Sequence, residues 1–210
     1  MYLDIIKKLF CIESNCGYSE NDLNYWIEKY DTMPKVLKEY YMEVGKHHKL
    51  NNTQDFLIPP AQFEEYADTE YLVFYSENQG ASLWGIKKSD VEKDNPPVYE
   101  NYGDEEWFLT ANSLSQFLLS MAYLQAVFSM EYGNEECVDI TEEQHRAISN
   151  YFSSKQADSD LYTGVSFYGN HDDTVIVVMK NHDYYILMYS SNSELHFDEM
   201  DRAIEQILLN

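Results

Sequence analysis

The sequence predicts an α+β fold, an antiparallel sheet of about six strands packed with N-terminal, central and C-terminal helices. Three observations carry that expectation. Runs rich in strand formers come in clusters between helical patterns rather than alternating one for one with them. Consecutive runs are joined by short polar links of hairpin type: Glu77-Asn78-Gln79-Gly80 in the first cluster, Asn170-His171-Asp172-Asp173 and Asn181-His182-Asp183 in the second. Between the clusters lies a segment, 114–130, whose apolar residues cover most of a helical circumference, which places it at the centre of a core.

The elements follow in order. Ser19 opens a first helix over 20–30, with Asp22 three residues on as the reciprocal member of a capping box. Leu23, Trp26, Ile27 and Tyr30 fall on one face of it. Pro34 suits the first turn of a second helix, with Leu37, Tyr40, Tyr41 and Val44 at helical spacing and Gly45 as its stop. Residues 47–63 read mostly as loop, punctuated by Asn51-Asn52 and Pro59-Pro60. Residues 72–75 and 82–86 make a hairpin that buries Phe74 and Trp84. Its polar tip has no second titrating group beside it, so the tip turns the chain: Asn78 and Gly80 adopt turn conformations and the amides tie the turn to nearby backbone. The stretch Asp94-Asn95-Pro96-Pro97-Val98-Tyr99 is extended, because each Pro fixes its own φ and keeps its predecessor out of the helical region. Residues 105–110 form a third short strand, and Ser113 with Gln116 opens the central helix, covered by Leu114, Phe117, Leu118, Met121, Leu124, Val127 and Phe128.

The remainder repeats the plan. Thr141 with Gln144 opens another helix, strands follow at 164–169, 174–180 and 184–189, and a helix over 197–210 ends the chain. The continuously apolar middle strand requires cover on both faces. Residues 131–140 are the one weak seam, so the expectation is a single α+β domain in which 131–210 shares the core of what precedes it.

Charge narrows the function. The chain of 210 residues carries 37 acids against 14 bases, a formal net charge of −23, and only Arg146 and Arg202 among its bases are arginines. Such a chain is poorly equipped to hold phosphates, so no nucleic acid is expected as a ligand; a cationic protein or a metal ion suits it better, and solubility alone is the other reading of the acid excess. With 44 % apolar residues it folds rather than staying disordered. Cys11, Cys16 and Cys137 make neither a disulfide framework nor a zinc pattern, and a reduced compartment, the cytoplasm, fits them. The N-terminus lacks the features of a signal peptide, and the uncharged run 107–130 holds too many polar groups for a lipid-facing helix, so no membrane partner is expected.

An ordered series of motifs carries a family resemblance. A Pro-started helix (34–41), a strand ending in Glu77-Asn78-Gln79, a return strand with Trp84, the segment Pro96-Pro97-Val98-Tyr99, an aromatic strand at Trp107-Phe108 and the long helix beginning near Leu114 together resemble the SUKH superfamily, which comprises cell-wall-assembly regulators and bacterial toxin-immunity proteins. The resemblance covers 33–130; where many members carry a Gly-Gly loop after the first matching helix, this chain has Gly45-Lys46-His47-His48. It implies a compact binding protein without catalytic activity, most simply an immunity protein that neutralises a cognate cationic toxin domain of nuclease or deaminase class. A regulatory scaffold of the cell-wall-assembly type is the alternative.

The expected docking face lies where bases are missing. No Lys or Arg occurs over 94–145, a span rich in acids and interleaved with aromatics. The candidate partner-binding residues are Tyr99, Glu100, Tyr102, Asp104, Glu105, Glu106, Trp107, Glu135 and Glu136, with the tip residues Glu77, Asn78 and Gln79 as a further surface. No motif supports an enzyme: there is no Gly-x-Ser-x-Gly, no phosphate-cradling Gly loop and no Cys in a suggestive setting. His171 and His182 would approach a metal-ligand pair only if two adjacent turns shared one sheet end, and successive turns of a meander project from opposite ends. No metal and no cofactor are expected.

Overall fold

In the computed structural model the described residues are 1–103, 106–155, 157 and 164–209. The chain opens with helix α1 (Tyr2–Leu9), followed by α2 (Glu20–Tyr30), α3 (Lys35–Val44) and the single turn α4 (His48–Asn51). Strands β1 (Asp55–Leu57), β2 (Tyr71–Glu77), β3 (Leu83–Lys87), β4 (Val98–Asn101) and β5 (Phe108–Ala111) precede the central helix α5 (Leu114–Ser129). Then come β6 (Tyr132–Gly133), β7 (Val138–Ile140), α6 (Glu142–Tyr151), β8 (Val165–Tyr168), β9 (Thr174–Asn181), β10 (Tyr184–Ser191) and α7 (Glu194–Leu208). The α+β class is the one expected. The strands, however, divide into two five-stranded sheets instead of one sheet of about six.

Two compact units result. One is continuous, Glu13–Leu118; the other is split, Met1–Ile12 with Leu119–Asn210, so that α5 runs from the first into the second. Residues 131–140 are not a boundary: β6 and β7 both pair with β10.

In the continuous unit, Ser19 Oγ accepts from the Asp22 amide and the Asp22 carboxylate accepts from the Ser19 amide at 2.8 Å, the capping box expected for α2. Pro34 is the N-cap of α3, whose Leu37, Tyr40, Tyr41 and Val44 are all buried. The sheet is an antiparallel meander in the order β1-β2-β3-β4-β5. The β2–β3 hairpin packs on the start of α5 as the sequence predicts: Phe117 meets Phe74, Tyr75 and Trp84 at ring-centroid distances of 5.5, 5.8 and 5.9 Å, and Phe74 and Trp84 are fully buried. The segment read as loop holds α4 and β1, a short edge strand set by its pairing with β2 and not by any strong local signal.

In the split unit the strand order is β6-β10-β9-β8, with β7 also against β10. Strands β9 and β10 pair over eight consecutive positions, from Thr174 opposite Ser191 to Asn181 opposite Tyr184. Ile176 and Val178 join Leu187, Tyr189, Ile148, Met200 and Ile204 in one core. Val175 and Val177, equally buried, alternate onto the opposite face. There Tyr123 of α5 packs on Phe167 (5.1 Å) and Ser190 Oγ donates to the Ala126 carbonyl (3.1 Å). The continuous apolar strand is thus covered on both faces. One expected α5 core residue is not in it: Phe128 is exposed, while Ala126 and Met130 at the same end of the helix are the residues that meet Ser190. No helix among the described residues is long and apolar enough to cross a membrane.

Candidate binding surface

The predicted docking residues gather at the β5 end of the first sheet, where strand register sorts them onto two faces. Trp84 lies opposite Glu100, and Glu100 opposite Phe108. These three side chains share one face with Tyr102, two positions beyond Glu100. The other face carries Gly85 opposite Tyr99 and Tyr99 opposite Leu109, with Tyr71 and Trp107 alongside.

On the Gly85 face the aromatics are engaged within the chain. Trp107 stacks on Tyr71 with 4.2 Å between centroids and 13° between planes, and Tyr71 meets Tyr99 edge-on at 5.5 Å. Lys87 Nζ sits 4.6 Å over the Tyr99 ring. A Cβ on Gly85 would stand 3.1 Å from the Trp107 ring and 3.2 Å from the Leu72 carbonyl, so glycine lets the indole lie flat on the strand. Tyr99 and Trp107, expected as partner anchors, are half-buried members of this stack.

The Trp84 face differs. Tyr102 and Phe108 stack on each other at 5.0 Å and are 55 % and 40 % exposed. Beside them Glu100, expected at the surface, is only 1 % exposed. The cause is its position between two neighbouring strands, with Trp84 on one side and Phe108 on the other. Burial holds its carboxyl above the ordinary carboxylate range, against the pull of Ser82, Trp84, Tyr102 and Thr110, whose polar groups all approach it. That approach stops short of a complete ring: Glu100 Oε1, Trp84 Nε1 and Thr110 Oγ1 are buried without a hydrogen-bond partner of proper geometry among the described residues.

The remaining predicted residues separate. Glu106 is exposed next to the stack, and Asp104 and Glu105 lie outside the described residues. Glu135 and Glu136 are exposed in the split unit, between β6 and β7, so the acid-rich span belongs to two units. At the hairpin tip the Glu77 carboxylate folds back onto the turn, accepting from the Gln79 amide at 2.8 Å and the Ala81 amide at 3.1 Å, while Gly80 takes φ 74°. The tie is therefore made by this carboxylate, where the sequence reading assigned it to the amide side chains; Asn78 and Gln79 are exposed. Phe108 and Leu109 were not among the predicted residues. Their strand was legible but its place at the sheet edge, which exposes them, was not.

Two other clusters were in view from the sequence. His171 does not approach His182, which is exposed on its own turn at φ 52°. It stacks instead on His196 of α7, with 3.8 Å between centroids and 3° between planes. His196 Nδ1 is 2.7 Å from Asp173 Oδ1 and His171 Nε2 is 3.3 Å from Glu199 Oε2, at the wall of a cleft of about 440 Å³ that Arg202 and Tyr151 also line. Among the described residues no group of three or more His, Cys, Asp or Glu side chains is placed to hold a metal ion. A second cleft, of about 450 Å³, is bordered by Gly45, Lys46, His47 and His48 together with Tyr18 and Phe56.

No family model matches the chain, and no curated protein or solved structure is significantly similar to it.

Proposed function

We propose that the protein is a non-catalytic binding protein of the immunity type, which docks on a cationic bacterial toxin domain of nuclease or deaminase class and blocks it. The observation that carries this reading is the placement of charge and exposed rings. The formal charge is −23, the span 94–145 has no Lys or Arg, and within that span the β5 end of the first sheet displays Tyr102, Phe108, Leu109 and Glu106. Exposed aromatics rimmed by acids suit a basic protein surface, whereas the same field repels nucleic acid. The resemblance to SUKH proteins supports the same class and also offers a cell-wall-assembly scaffold, which would share the fold without a toxin. Cys11, Cys16 and Cys137 are thiols outside any disulfide, in keeping with a reduced cytoplasm.

Opposite charge acts chiefly on the rate of encounter, so association with the toxin domain encoded beside the gene should slow as salt is raised. Reversal of Asp104, Glu105 and Glu106 to Lys should weaken binding and leave the melting temperature unchanged. The measurement is association rate against ionic strength for both proteins. Salt-indifferent association by the wild type, matched by the triple variant, would reduce the acid excess to a solubility device.

A further inference from the structure

We infer that Glu100, beneath the Tyr102–Phe108 stack, is the receptor for a single arginine side chain of the partner. The inference rests on the docking reading above and gives that surface a specific anchor. Three observations combine. The carboxylate is buried at 1 % exposure in a chain where most acids are solvated, and its Oε1 has no hydrogen-bond partner of proper geometry among the described residues. Leaving a buried acceptor unmatched is costly, and an incoming N–H from a cation is the donor that relieves the cost most. Next, the groups around it are aromatic: Trp84 and Phe108 flank Glu100 across the sheet, and Tyr102 follows it on the same face. Rings beside a carboxylate are the chemistry that binds a flat cation, since guanidinium stacks on a ring face and donates in its own plane. Last, the cover is an exposed one. Tyr102 and Phe108 are the only members of this ring more than a third exposed among the described residues, and Tyr102 itself reaches Glu100. An exposed side chain changes rotamer within nanoseconds, so Tyr102 can swing aside and leave its face to the guanidinium. A lysine ammonium has no plane to stack and is more strongly hydrated, so it should bind more weakly.

The purely structural account of Glu100 is that a protein-internal polar cluster fixes the end of β4. That account takes Ser82, Trp84, Tyr102 and Thr110 as the groups that hold the carboxyl, leaves the exposure of the Tyr102–Phe108 stack unaddressed, and makes a different prediction. The probe is N-acetylarginine amide, titrated at low salt into the full chain, with N-acetyllysine amide and the neutral N-acetylcitrulline amide as controls. The readout is the indole N–H of each tryptophan by proton–nitrogen NMR; the chain has three, Trp26, Trp84 and Trp107, so Trp84 has two internal references. Saturable movement of the Trp84 signal with arginine, several-fold weaker with lysine and absent with citrulline, is the expected result. Glu100→Gln should weaken the arginine response by about tenfold or more, the loss of a desolvated charge partner, and Tyr102→Ala, at an exposed position, should weaken it without altering the melt. No saturable shift at Trp84, equal shifts at all three indoles, or an unchanged response in a folded Glu100→Gln or Tyr102→Ala variant would overturn the inference. A toxin domain whose association slows with salt yet ignores Glu100→Gln would reject this anchor and leave the docking reading standing.

Discussion

The central strands of the first sheet are filled with rings, and those of the second with branched aliphatics. Around Trp84 stand Phe74, Tyr75 and Phe117, with Glu100 and Thr110 buried among them, and the ladder slips twice, between Val73 and Tyr75 and between Val98 and Tyr99. Along β9 stand Val175 and Val177 on one face and Ile176 and Val178, with Leu187 of β10, on the other, and β9 and β10 stay in register over their whole length. Stability alone favours the second arrangement: aliphatic side chains in an unbroken ladder bury area, and the buried Thr174, Ser190 and Ser191 each have a hydrogen bond. The first tolerates buried polar atoms without well-placed partners and two bulges, features that proteins keep at functional or strained sites. The irregular sheet also carries a stacked pair of exposed rings, Tyr102 and Phe108, at its end.

Substitutions can break that comparison. The largest effect should come from Trp84→Ala, which empties the ring cluster and should lose about 3–5 kcal/mol in chemical denaturation; a melt equal to wild type would show that the rings do not carry the first sheet. In the second sheet the matching change, Ile176→Val, removes one methylene from a tightly filled core and should cost about 0.5–1.5 kcal/mol. A cost as large as that of Trp84→Ala would erase the contrast between the two cores. Thr141→Ala removes a cap whose oxygen accepts from Gln144 N at 3.2 Å, and should cost about 1 kcal/mol wherever the core chemistry lies, a control for helix ends.

The smallest change should have the opposite sign. Glu100 keeps its proton more tightly in the folded chain than in the unfolded one, because burial raises its pKa. Its contribution to stability is therefore complete at acid pH, below the unfolded carboxyl range near pH 4, and is lost as pH rises through the folded value. Glu100→Gln, which cannot ionise, should equal wild type in acid and exceed it slightly at neutral pH. A variant that is less stable at neutral pH than at acid pH, relative to wild type, would mean that the ionised form is the stabilised one.

Local signals in the sequence located the helices best. The capping boxes Ser19–Asp22 and Thr141–Gln144 are present residue for residue, because a cap is made by neighbours along the chain. At the start of α5 a distant residue takes part as well: Asn95, twenty positions away, accepts from the Ser115 amide at 2.9 Å and donates to its hydroxyl at 2.9 Å. The division of strands between two sheets was not legible either, since alternation tells which face a residue takes and not which strand lies beside it. For the same reason Tyr99, Glu100 and Tyr102 looked alike as interface residues. Only the register with β3 and β5 separates a stacked ring, a buried carboxylate and an exposed ring.

The split unit has a consequence for biosynthesis. Helix α1 buries Ile6 and Leu9, the Leu9 carbonyl accepts from Asn192 Nδ2 at 2.8 Å, and Lys8 Nζ is 3.0 Å from Asp172. Helix α1 therefore waits for a partner about 180 residues further along the chain, roughly 10–40 s of synthesis at ordinary elongation rates. Residues 13–118 need no such delay. On a nascent chain they should fold first, with an amphipathic helix held open at their N-terminal side. A ribosome-stalled chain ending shortly after α5 should thus protect the first sheet from protease while leaving α1 cleavable.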